Sequence, residues 1–301
     1  MALIGAGTGV ALLIVTWYAA FHIGVFERAD QSILRGFAGL HRPRVDRITK
    51  FIANLCDPQP YVYFAAVPVL VALARRRPRV AAVVAMIVLS ANVTTQLLKP
   101  LLAAPRATTL DGFPVVAAAS WPSGHATAAM SLALVSVIVA PSRLRPFVAA
   151  LGAAFAVAVC YSFLELGWHY PSDVLGGFLV ATTWTLLGVA VLFAAPARRP
   201  RLATAAGGTS RATAAGGTSR ATAAGATSRE PAAKPVSIRE ALGPPAAVML
   251  GALVLVGLIV LARPHAVVAY ARTHEAFMIG ATVIAALGLA LATGVMLALR
   301  R

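Results

Sequence analysis

The chain has 301 residues, of which 59% are hydrophobic and only 12% charged, and its mean hydropathy is +0.80. Soluble domains run at about 45–50% apolar and about 25% charged, so a soluble cytosolic enzyme is excluded, and a disordered or fibrous chain with it. Two cysteines, Cys56 and Cys160, cannot staple a secreted scaffold, and Cys160 lies inside an apolar run.

A polytopic, all-α membrane protein remains. A crossing helix needs about 20 mostly apolar residues, and eight stretches approach that length, near 2–26, 61–74, 80–98, 126–140, 147–164, 174–195, 246–262 and 276–299. The second and fourth are short and are expected to extend into their flanks. The first lacks the basic leader of a cleaved signal and runs long for one, so it reads as a retained span. Between the sixth and seventh spans, residues 203–229 read ATAAGGTSR, ATAAGGTSR and ATAAGATSR, a nine-residue repeat. Small residues and glycine pairs bury too little to order a backbone, which predicts a flexible, arginine-solvated linker. The expected division is a six-span membrane domain over 1–195, a cytoplasmic linker over 196–244, and a two-span membrane segment over 245–301. The last two spans hold almost no polar residue and read as an anchor or packing partner.

The net charge of +16 reports orientation. Sixteen of the 26 Lys and Arg fall on one side of the spans, giving that side +14 against +2 on the other. The first side is therefore predicted to be cytoplasmic, with attraction to anionic lipid heads as a further consequence. The segment 25–58, with six basic residues, dissents from this assignment. No aromatic–basic platform accompanies the charge, so nucleic acid is not an expected partner.

Chemistry-bearing residues cluster in three islands, all assigned to the extracytoplasmic side. The first runs from Gln96 through Lys99 to Arg106 and supplies two cations near the membrane surface. Taken alone, these also read as snorkelling side chains at a helix end. The second is Ser120-Trp121-Pro122-Ser123-Gly124-His125, opening the fourth span. Pro122 suits a first helical turn and Ser123 can cap free amides. Gly124 lets an anion approach backbone N–H groups at the positive helix end, with His125 beside it as a proton donor. The third runs from Ser162 to Asp173 and opens the sixth span. His169 and Asp173, four apart, share a face at a helix start. A carboxylate so placed holds one imidazole tautomer and stabilises its cation. The bland alternative is an interfacial histidine between Trp168 and Tyr170.

In order and spacing the islands resemble the signature of the type 2 phosphatidic acid phosphatase superfamily, which includes membrane lipid-phosphate phosphatases and, more distantly, vanadium haloperoxidases. That signature reads K-x6-R-P, P-S-G-H and S-R-x5-H-x3-D. Lys99 and Arg106 match the first block, residues 122–125 match the second completely, and Ser162, His169 and Asp173 match the third. The motifs cover about 94–177, and the six-span layout extends the resemblance over 1–195. Two positions depart from it. Ala107 replaces the proline after Arg106, and Phe163 replaces an arginine that helps grip phosphate in the family. Arg42, Arg44 and Arg47, on the same side, are the candidate substitutes.

The resemblance implies a six-helix transmembrane phosphatase-type bundle, here with two additional C-terminal transmembrane helices. It implies a metal-independent phosphatase without cofactor. His169 would attack phosphorus with Asp173 on its second ring nitrogen, and His125 would protonate the leaving oxygen and later activate water. Lys99, Arg106, Ser123 and Gly124 would bind the phosphate, with Ser162, Phe163 and Glu165 as auxiliary positions. Asp111, Glu165 and Asp173 are too scattered to form a metal site. The implied substrate is a lipid phosphate or pyrophosphate of the polyprenyl, phosphatidic acid or phosphatidylglycerol phosphate type, met at the outer face of a bacterial plasma membrane. A lipid-phosphate binding or transport-associated protein weakened by Phe163 is the alternative; haloperoxidase-type oxidation is disfavoured by a site embedded among spans.

Overall fold

A computed structural model of the chain describes residues 2–44, 46–106, 116–194 and 264–299, with scattered helical positions between 243 and 261. The predicted linker and the predicted seventh span lie outside the described residues or only in part within them. Among the described residues the fold is all-helical: α1 (Ala2–His22), α2 (Gly24–Ala38), α3 (Asp46–Asn54), α4 (Pro58–Ala74), α5 (Pro78–Leu101), α6 (Gly124–Val139), α7 (Arg145–Glu165), α8 (Pro171–Ala194), α9 (Pro264–Thr273) and α10 (Glu275–Ala298).

Five of these, α1, α5, α7, α8 and α10, are long and apolar enough to cross a membrane, and α4 and α6 are shorter apolar helices. The short helices extend as expected, α4 back to Pro58 and α6 back to Gly124. Segment 25–58, read from sequence as an outer loop, instead holds α2 and α3. Its polar residues rule out a span, yet α2 turns Asp30, Leu34, Phe37 and Ala38 inward on one face. That is the spacing of an amphipathic helix.

α6 is the central post, with both Ala126–Met130 and Val137–Val139 buried along its length. α5, α7 and α8 surround it, α1 lies on α8, and α10 packs on α7 and α2. Small residues allow the close crossings, as expected where lipid offers no hydrophobic drive between helices. A Cβ on Gly9 of α1 would stand 2.4 Å from Thr183 Oγ1 of α8, and one on Gly280 of α10 would stand 2.6 Å from Ile33 of α2.

The crossing that matters for the site is α6 on α8. A Cβ on Gly177 would meet the Ser123 carbonyl oxygen at 2.7 Å, and one on Gly176 would meet the Trp121 ring at 2.9 Å. This glycine pair brings the sixth span against the Pro-Ser-Gly-His segment. The ends of α5 and α7 and the starts of α4, α6 and α8 thus gather at one end of the bundle.

Candidate active site

The third island is folded by its helix ends. α7 closes with Gly167 in the left-handed region at φ 71°. Gly167 N–H donates to Leu164 O and Trp168 N–H to Phe163 O, both at 3.0 Å, the paired bonds of a Schellman ending. The reversal returns the chain toward α8, which starts at Pro171, so His169 precedes the helix and does not sit on it. Its contact with Asp173 comes from capping geometry rather than a shared helical face. Asp173 Oδ2 accepts the Tyr170 N–H at 3.0 Å, as the third residue of a capping box does. The same oxygen lies 3.2 Å from His169 Nδ1. A carboxylate can only accept, so Nδ1 carries the proton and Nε2 is left for chemistry.

Asp173 is fully buried, and its other oxygen, Oδ1, accepts from the Arg106 guanidinium. Arg106 was expected on the phosphate. Its guanidinium instead also donates to Asp30 Oδ2 and Ser172 Oγ, each at 2.9 Å. The Phe21 and Tyr170 rings cover it at 4.3 and 4.2 Å. Two carboxylates and two aromatic faces suit a desolvated guanidinium. Arg106 is therefore 8% exposed and fixes Asp173 from behind.

Asp30 carries no local sequence signal for this role. From α2 it accepts the Ser172 N–H at 2.8 Å, capping a free amide of α8 from another helix. Burial pushes its carboxyl up to about 6, with Arg106 and Ser172 pulling the other way.

The second island docks on the third through the backbone: Ser123 N–H donates to Asp173 O at 2.9 Å. Ser123 Oγ caps α6 by accepting Ala126 N–H at 3.3 Å, and the residue is fully buried. His125 stands across from His169 with ring centroids 6.1 Å apart. Its Nε2 lies 2.9 Å from Asp57 Oδ1, at the start of α4, a second imidazole–carboxylate pair that no local pattern signals. Lys99, in the last turn of α5, brings Nζ to 3.6 Å from where a Gly124 Cβ would be, and Gln96 Nε2 comes equally near. The residues over Gly124 thus offer an ammonium and an amide.

Phe163 is fully buried and packs on both histidines, at 5.9 Å from His125 and 5.2 Å from His169. Arg42 does not replace the missing arginine: it donates to the carbonyls of Gly39 and His41 in its own turn. Arg44 and Arg47 are exposed. His41 instead reaches the auxiliary Glu165, 2.9 Å from Oε1, while Oε2 is buried without a hydrogen-bond partner. Ser162 Oγ donates back to Ala158 O at 2.8 Å and acts within its own helix. Ala107 and Asp111 lie outside the described residues.

A cavity of about 760 Å³ opens beneath Lys99, Gly124 and His125 and runs between α4 and α5, past Tyr61 and Ala65 to Val69 and Ala85. Its walls are mainly apolar, with Asn92 and Gln96 among the polar exceptions. Cys56 also lines it, but burial pushes that thiol up to about 12, so it stays protonated and is no nucleophile at neutral pH.

The fold and this site define a multi-pass, all-helical membrane protein with two histidines, each paired to a carboxylate, facing each other at one end of its spans. Residues 62–197 match the family model of the PAP2 superfamily. The fold is similar to the crystal structure of a transmembrane PAP2-type phosphatidylglycerolphosphate phosphatase from Bacillus subtilis, with a TM-score of 0.55 at 20% identity, covering 64% of this chain and 98% of that one. No curated protein matches the chain.

Proposed function

We infer that the protein is an integral-membrane phosphatase that removes phosphate from a lipid phosphate or pyrophosphate. The observation that carries this reading is the facing pair His169–Asp173 and His125–Asp57 at the mouth of an apolar groove. His169 Nε2 attacks phosphorus while Asp173 stabilises the imidazolium through Nδ1–H. His125, its Nε2–H on Asp57, gives its Nδ1 proton to the leaving oxygen. The leaving alcohol or phosphate departs, and the phosphoryl group stays on His169. His125, now neutral, takes a proton from the water that attacks this phosphohistidine, releasing phosphate. Lys99, Gln96 and the amides near Gly124 meet the charge on the phosphoryl oxygens. Ser123 and Arg106 act indirectly, through the helix cap and through Asp173. The hydrocarbon tail occupies the groove between α4 and α5.

The substrate is of the polyprenyl pyrophosphate, phosphatidic acid or phosphatidylglycerol phosphate type, and the site faces outward from the plasma membrane. Phosphate release over a panel of these lipids in detergent tests the reading. His169→Ala abolishes turnover, and Asp173→Asn and His125→Ala each lower it about 100-fold or more. Near-full activity of His169→Ala overturns the nucleophile assignment.

One observation favours a second reading. Arg106 is engaged by Asp30 and Asp173, and Phe163 stands where the family has an arginine, which leaves Lys99 as the cation lining the groove. A protein that binds lipid phosphate without turnover fits such a charge-poor site. Tight binding with no release by wild type distinguishes it.

A further inference from the structure

At the opposite end of α5, some 20 residues and thus about 30 Å from Lys99, lies a second cavity of about 510 Å³ that the proposed reaction does not use. Arg76, Arg77, Arg79 and Arg145 line it, and none of its lining residues is acidic. Its floor is apolar, formed by Val80, Ile138, Leu192 and Leu299 among others.

Orientation in a membrane calls for basic residues near this interface. It does not call for four of them to converge on one cavity, where hydrogen bonds and backbone geometry fix the direction of part of the cluster. The Arg145 Nε donates to Ala140 O at 3.3 Å and its Nη1 to Leu299 O at 3.0 Å, so the ends of α6 and α10 fix its direction. Arg75, beside the cluster, is fixed in the same way on Val139 O at 2.7 Å. Arg76 has φ 54°, a left-handed conformation that glycine adopts freely and arginine rarely does. The α4–α5 turn thus keeps a cationic side chain at a position where the backbone favours its absence. α5 and α7 both begin here, so the positive ends of two helix dipoles add to the arginine charge.

We propose that this cavity binds a phosphate group, carried by the head of an anionic phospholipid in the membrane leaflet opposite the candidate active site. Guanidinium forks match phosphate oxygens in pairs, and basic pockets between spans hold lipid head groups in this way. The apolar floor, together with the half-exposed Phe193 on the rim, gives the glycerol and first acyl carbons a surface. Free phosphate has no use for such a floor, which is why a lipid is the favoured source.

Phosphatidylglycerol is a suitable probe, because its phosphate is a diester and is not consumed by a monoester or pyrophosphate hydrolase. The full chain is reconstituted in phosphatidylcholine nanodiscs doped with phosphatidylglycerol, and retained lipid is counted by native mass spectrometry. Wild type retains phosphatidylglycerol; Arg76→Gln with Arg77→Gln lowers its occupancy roughly tenfold or more; Lys99→Gln does not. Should the double variant fail to give a single elution peak, Arg77→Glu, at an exposed turn position, serves in its place and reduces retention at least as far. A parallel arm titrates inorganic pyrophosphate into protein in phosphatidylcholine alone. Arginine-dependent binding of pyrophosphate without retention of phosphatidylglycerol overturns the lipid source. Retention that is unchanged in the arginine variants overturns the site.

Discussion

Asp57 Oδ1 lies 2.9 Å from His125 Nε2, joining the start of α4 to the start of α6 across 68 positions of sequence. The pair mirrors Asp173 and His169, so each histidine of the site has its own carboxylate. Asp57 is 41% exposed at its side chain, and its influence is correspondingly weaker than that of the buried Asp173.

Asp57→Asn is therefore expected to lower kcat about tenfold, against about 100-fold or more for loss of the acid itself. Asp57→Glu restores part of the loss. Because the imidazolium of His125 loses its counter-charge, activity in Asp57→Asn falls away at lower pH on the alkaline side. A kcat profile against pH with an unshifted alkaline limb rules out this coupling.

Phe163 packs beside both imidazoles, which face each other with ring centroids 6.1 Å apart. Phe163→Arg places a guanidinium at a fully buried position, where it meets two rings that each carry positive charge during the reaction. No gain in kcat/KM on any lipid phosphate is expected. A rise of tenfold or more would mean that the site had lost a phosphate-gripping cation and had not reorganised around the phenyl ring.

Asp30 makes stability depend on pH. Its carboxyl titrates at about 6 in the fold, against 3.8 in a solvated chain, because burial outweighs the attraction of Arg106. The folded state thus holds this proton more tightly than the unfolded one. The resulting stabilisation is complete below the unfolded value and is lost as pH rises through the folded one. A shift of this size corresponds to about 3 kcal/mol. Thermal unfolding in detergent at intervals between pH 4 and pH 7 should show the slope in wild type, and Asp30→Asn should flatten it.

Topology follows from the charge division. Thr213→Cys, in the repeats, is expected to resist an impermeant thiol reagent in intact cells, while Thr109→Cys, between Arg106 and the second island, reacts. Both native cysteines are buried, which keeps the background low. The reverse labelling pattern places the candidate site on the cytoplasmic face.

Apolar runs and polar islands were enough to read this chain as a helical membrane protein and to place Lys99, His125, His169 and Asp173 at one end of its spans. Hydrophobic runs locate span ends directly, and a motif at a span end inherits that location. The amphipathic α2 was not legible in this way, because segment 25–58 is too polar to register as a span and its inward face has meaning only once α7 and α10 are beside it. Nor were Asp30 and Asp57 legible, each a lone carboxylate in polar surroundings. Their partners Ser172, Arg106 and His125 stand 142, 76 and 68 positions away. The same holds for Arg106, for which the family resemblance implies a phosphate ligand. Sequence spacing determines which groups reach one surface of the membrane. Which of them a buried guanidinium then chooses is decided by tertiary packing, since in a low-dielectric interior a cation takes the nearest carboxylates.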